Sequence, residues 1–184
     1  MPVWIAIVAL VIIVAVVYIA TRPGSFHIER SAQINAAPDV VFPMINDFHQ
    51  WARWSPWEKL DPNMEKTFAG PTAQPGATYA WSGNSKAGAG RITLMESKAS
   101  EQVAIKLEFF KPFPATNQGS FKLVPSGGGT RVTWSMEGKN NLMGKVMSPF
   151  MDGILGKEFE RGLANMNTAV QTEQLQPEQG AQSA

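Results

Sequence analysis

Apolar and polar positions alternate along this chain in four successive patterns, and each predicts a different element. The first, VWIAIVALVIIVAVVYIA over residues 3–20, is 18 residues long and carries no charge. That length suffices to cross a bilayer as a helix. The second is mixed. FHIERSAQI reads as a strand ending at Asn35, and NAAPDVVFPMIND as a helix entered at Pro38, with Val40, Val41, Met44 and Ile45 on one face. Pro43 inside it predicts a short or irregular helix. WARWSPWEKLDP follows, and Pro56 and Pro62 make it loop or single helical turns.

From Glu65 the period becomes two. MEKTFAG, ATYAWSG, AGRITLMES, EQVAIKLEFF, QGSFKLVP and TRVTWSMEG are strand-length runs separated by turn residues such as GN, KPFP and SGGG. Val103, Ile105, Leu107 and Phe109 share one face, Phe121 and Leu123 another, and Val132, Trp134 and Met136 a third. Such runs predict a meandering antiparallel sheet, apolar on one side. Then the period returns to 3.6. Met143, Val146, Met147, Phe150, Met151, Ile154, Leu155, Phe159, Leu163, Met166 and Val170 form one stripe, with a helix start or kink at Pro149. The stripe is what the open face of the sheet needs. The fold class is therefore α+β: a curved antiparallel sheet around a long C-terminal helix, plus one N-terminal transmembrane helix.

Composition sharpens the two ends. A signal peptide would carry a basic start and a small-x-small cleavage site. No Lys or Arg precedes Arg22, and Tyr18 and Ala20 make a poor cleavage site, so residues 1–21 read as an uncleaved anchor. Arg22 and Arg30 follow the span, which places the domain in the cytoplasm by the positive-inside rule. Residues 22–25 read as a linker, 26–172 as the domain, and the polar, Gln-rich residues 173–184 as a disordered tail. The charges, 16 Lys+Arg against 15 Asp+Glu, form no basic cluster, which excludes a nucleic-acid partner. The absence of cysteine means that no disulfide framework holds the fold.

Several of these segments together resemble a known family. INAAPDVVFPMINDFHQWARWSPWEKLDPNMEKTFAG, YAWSGNSKAGAGRI, GTRVTWSMEG and MDGILGKEFERGLANM resemble the polyketide cyclase/dehydrase-like branch of the START/Bet v 1 (SRPBCC) superfamily, over residues 26–172. The resemblance implies a helix-grip fold enclosing an apolar cavity, with a small hydrophobic or lipid-like ligand. It implies no shared catalytic set.

Candidate chemistry is sparse. Two histidines, His27 and His49, and no cysteine offer no metal-ligand spacing, so neither a metal nor another cofactor is expected. An enzyme would have to use Asp47, His49 or Glu96, whose spacing forms no recognisable dyad; His49 reads more simply as a surface histidine. Glu96 and Arg30 follow the parity of apolar neighbours and would face the core unless a bulge turned them. The glycine-rich GAGR and SGGGTR feed strands rather than helices and read as turns, not phosphate loops.

The candidate ligand-binding residues are Trp51, Trp54, Trp57, Trp81, Glu96, Phe109, Trp134, Met147, Met151, Gly153, Leu155 and Phe159. At least one of Trp51, Trp54 and Trp57 should line a cavity, and the others should pack as core. Gly153, Gly156 and Gly162 either let the sheet approach the long helix or leave room for a ligand. The methionines fit an adaptable cavity or a solid core equally. The expected function is a membrane-anchored module binding a hydrophobic or lipid-like molecule. The alternatives are a cyclase- or dehydratase-like enzyme and a protein-interaction module with an unknown partner.

Overall fold

The computed structural model describes residues 2–181, with side chains to residue 173. Helix α1 (Val3–Ala20) is followed by strand β1 (Ser25–Ile34), helix α2 (Pro38–Asn46) and two 3-10 helices, Phe48–Arg53 and Pro56–Lys59. Six strands come next: β2 (Glu65–Ala69), β3 (Thr78–Ser82), β4 (Ala89–Lys98), β5 (Gln102–Lys111), β6 (Ala115–Ser126) and β7 (Gly129–Lys139). Helix α3 (Leu142–Ala181) closes the order. Strand β1 begins one residue inside the expected linker. The tail expected from residue 173 falls at the end of α3 and beyond, where residues 182–184 and the side chains from residue 174 lie outside the described residues.

The seven strands form one antiparallel sheet in the order β1-β7-β6-β5-β4-β3-β2. Every strand from β2 to β7 pairs with its neighbour in sequence, as short turns favour. At the β6–β7 turn, Gly127 and Gly128 both have positive φ, which suits a two-residue hairpin whose twist matches its strands. The first strand instead crosses the sheet edge to pair with the last, Ser25 opposite Lys139 and Ile34 opposite Thr130. Helix α2 and the 3-10 helices carry the chain from the β1 edge to the β2 edge.

One face of the sheet is buried. Ile28, Ile34, Ile92, Leu94, Val103, Ile105, Phe121, Leu123, Val132, Trp134 and Met136 alternate inward and meet Phe159, Leu163, Met166 and Val170 of α3. The strand faces read from the sequence are thus the core faces, with Leu107 and Phe109 half-buried. Two expectations need correction. Val40 is exposed, because α2 presents Val41, Met44 and Ile45 to the core and turns Val40 out. The α3 stripe also divides. From Phe159 onward it is buried, but Leu142, Met143, Val146, Met147, Phe150 and Ile154 are exposed.

Candidate functional site

Short-range chemistry decides how the tryptophan segment folds. Helix α2 ends at Asn46, so its last carbonyls lack helical partners. The indole N–H of Trp51 donates to the Ile45 carbonyl at 2.9 Å, and that of Trp54 to the Met44 carbonyl at 2.7 Å. Both rings are thereby pinned under the sheet. Trp54 is fully buried and packs edge-on against Phe121 and Trp134, at centroid distances of 6.0 and 5.5 Å. It is core. Trp57, on the next turn, stands edge-on to Trp134 at 5.4 Å, and Trp134 stacks on Phe159 of α3 at 4.2 Å.

These rings wall one side of a cavity of about 300 Å³ between the sheet and α3. Trp51, Trp57, Trp81, Phe109, Trp134, Leu155 and Phe159 of the candidate residues line it. Trp81 leans over the cavity because Gly90 opposite has no side chain; a Cβ there would strike the indole. Its N–H donates to the Ala87 carbonyl at 3.0 Å, which ties the ring to the β3–β4 turn.

Five candidates lie elsewhere. Trp54 is behind the wall. Glu96 is turned away by a bulge: Leu94 pairs with Ile105 and Glu96 with Ala104, leaving Met95 as the extra residue. Its carboxylate meets Lys98 at 3.0 Å on the outer surface. Met147 and Gly153 face away from the sheet, with nothing within 4 Å of a Cβ at Gly153. Met151 is half-buried against the core but does not reach the cavity.

The other glycines of α3 make room for side chains of the sheet. A Cβ at Gly162 would lie 2.8 Å from the Trp134 ring and 3.2 Å from Pro56. At Gly156 it would overlap the Arg30 guanidinium. Arg30 does face α3, as its parity implies, and it donates to Asp152 from both terminal nitrogens at 3.0 Å and to Glu160 from Nε at 2.8 Å. This hydrogen-bonded fork holds the Asp152 carboxyl below its ordinary range.

Sequence reasoning missed the polar pole of the cavity. Glu58 and Tyr79 both line it. The Tyr79 hydroxyl donates to Glu58 Oε1 at 2.6 Å, while Lys66 pairs with the other carboxylate oxygen. The Glu58 side chain is only 8% exposed. Burial, followed by the Glu58 hydrogen bond, pushes the Tyr79 phenol well above its ordinary range. Of its lining residues, Leu60, Lys86 of the β3–β4 turn, and Lys111 and Pro112 at the end of β5 are exposed, which marks the mouth. Met64 and Met136, rather than the methionines of α3, supply the flexible lining.

Asp47 and His49 do meet: Asp47 Oδ1 lies 2.8 Å from His49 Nδ1 and also accepts from the His49 backbone N–H at 3.0 Å. The carboxylate thus caps the first 3-10 helix, and the imidazole stacks on Phe68 at 4.1 Å. The pair borders a separate polar pocket of about 190 Å³, whose lining holds two threonine hydroxyls and no cysteine or serine. Among the described residues, no group of three or more His, Cys, Asp or Glu side chains gathers.

Known proteins place this architecture. A solved protein of Thermobifida fusca is 19% identical, with a TM-score of 0.60 over 78% of this chain and 92% of its own. An uncharacterised protein of Rhizobium leguminosarum is 11% identical, with a TM-score of 0.60 over 80% of this chain and 95% of its own. Ara h 8.0201 is 12% identical, with a TM-score of 0.56 over 81% of this chain and 99% of its own. At such identities these likenesses speak for the fold alone. No curated protein matches the chain. The family model described as polyketide cyclase/dehydrase and lipid transport matches residues 25–171, almost the whole of the sheet and α3. With a helix-grip fold like that of Ara h 8.0201, the chain belongs to that family.

Proposed function

We propose that this protein is a membrane-anchored binding module that holds one small hydrophobic or lipid-like molecule between its sheet and α3. The observation that carries the reading is the cavity itself: about 300 Å³, walled by Trp51, Trp57, Trp81 and Trp134, with one polar pole at Glu58 and Tyr79. That volume lies at the small end of ligand pockets, which combine apolar walls with a few placed polar groups. A single elongated chain or a compact ring system fits it better than a two-chain lipid. The family's description, which includes lipid transport, supports the same class of ligand. Helix α1 supports the anchor, being long and apolar enough to cross a membrane and having no residue buried in the domain. Arg22 and Arg30 beyond it favour a cytoplasmic domain.

The test is extraction of the full chain from membranes, followed by denaturation and mass spectrometry of what is released. The expected result is near-stoichiometric recovery of one class of single-chain or ring-shaped amphiphile. Recovery of bulk lipid only, together with failure to take up an apolar fluorescent dye, overturns the reading.

A further inference from the structure

Most of the large apolar side chains exposed outside α1 gather at one end of the domain. Leu142, Val146 and Phe150 follow at four-residue steps on one face of α3, with Met147 beside them. Phe110 lies near the end of β5 and Phe113 in the β5–β6 turn. Strand register brings these segments together. Ser25 at the start of β1 lies opposite Lys139 at the end of β7, and the β3–β4 and β5–β6 turns fall at that same end of the sheet. Phe113 and Phe150 are 58% and 61% exposed. Exposed apolar side chains concentrated at one end of a domain mark an interaction site.

Two observations identify the occupant. Helix α1 ends at Ala20 and β1 begins at Ser25, so even a fully extended connection spans at most about 18 Å. Cations also outnumber anions at this end, with Arg22, Lys86, Lys111, Lys139 and Lys145 against Glu65 and Glu137, while nearby Asp152 is held by Arg30. Apolar side chains with an excess of cations suit the interface of an anionic bilayer.

We propose that this end of the domain docks on an anionic membrane, with Phe113 and the first turns of α3 immersed in the interface. The cavity mouth, framed by Lys86, Lys111 and Pro112, then opens onto lipid rather than water. A ligand moves between bilayer and cavity without crossing the aqueous phase. This inference rests on the reading that α1 spans the membrane.

The chain has no cysteine, so single cysteines can report position without background. The full chain carrying Ile12→Cys, Phe113→Cys, Phe150→Cys or Val124→Cys is labelled with an environment-sensitive dye. It is then reconstituted into vesicles of phosphatidylcholine and phosphatidylglycerol. Val124, exposed beside the β6–β7 turn, reports the opposite end of the sheet. The expected result is several-fold stronger quenching by spin-labelled lipid at positions 12, 113 and 150 than at 124. If position 12 is quenched by lipid while 113 and 150 respond to aqueous iodide like 124, the anchor stands and the docking surface falls. If position 12 is not quenched either, the membrane reading fails and takes this inference with it. Positions 113 and 150 shielded from both quenchers would mean that protein covers the face, which also overturns it.

Discussion

Glu58 is the residue on which the polar chemistry of the cavity depends. A carboxylate this enclosed needs partners, and it has two: the Tyr79 hydroxyl and the Lys66 ammonium. Tyr79→Phe removes a hydrogen bond to a charged acceptor and should lower stability by about 1.5–3 kcal/mol in a denaturant titration. The wild-type phenol should also resist alkali. Its folded pKa is raised, so its contribution is complete below the ordinary tyrosine pKa of 10.0 and is lost only as pH rises through the higher folded value. Phenolate absorbance at pH 11 should therefore show Tyr79 un-ionised in the folded chain and ionised after urea unfolding. Equal absorbance in the two states would show the hydrogen bond to be absent. None of this was legible beforehand. Glu58 sits in a four-residue 3-10 helix too short to show a period, its partners lie 8 and 21 residues away, and no local pattern joins its carboxylate to a strand tyrosine.

Among the elements, α3 departs most from its sequence pattern. A single 3.6-residue stripe runs along it, and periodicity has no means of saying which part of a stripe finds a partner. The half facing the sheet packs on Trp134 and Trp57; the first turns run past the sheet and remain bare. Gly156 marks where the helix meets β1. Gly156→Ala should gain up to about 1 kcal/mol of helix propensity and displace the Arg30 guanidinium, breaking an ion pair of which Asp152 is largely exposed. The two effects oppose one another in stability. The Asp152 titration should move nevertheless. In the native chain its carboxyl is held low, so its contribution persists above the ordinary aspartate pKa and fades as pH falls through the lower folded value. NMR titration of the Asp152 side chain should show its midpoint rise to the ordinary range in Gly156→Ala; an unmoved midpoint would mean that Arg30 keeps its grip. The strands, by contrast, were legible almost residue for residue, because half-buried sheets impose strict alternation. Glu96 was the exception. A bulge reverses parity with one extra residue, and Met95 carries no sequence mark of that role.

At the scale of the whole molecule, the cavity is a gap between the sheet and α3, bounded on the helix side by Leu155 and Phe159. Leu107, on the central strand β5, points into that gap. Leu107→Trp should narrow it, weakening dye or lipid uptake while changing stability by less than about 1 kcal/mol, since the added volume enters empty space. A loss of about 1–3 kcal/mol, the cost of overpacking a solid core, would show that the gap closes in solution. Apolar lining was foreseeable from strand faces and ring content, but the gap itself was not, because alternation describes which way a side chain points and not how far away the next layer stands. The pairing of β1 with β7 has a consequence of another kind. Ser25, the first residue of the sheet, has no partner until Lys139 has been made, more than a hundred residues later. The first strand must wait through most of translation as an unpaired edge. The sheet therefore closes only after its last strand has left the ribosome, and this one long-range pairing is of the kind that is slow to form.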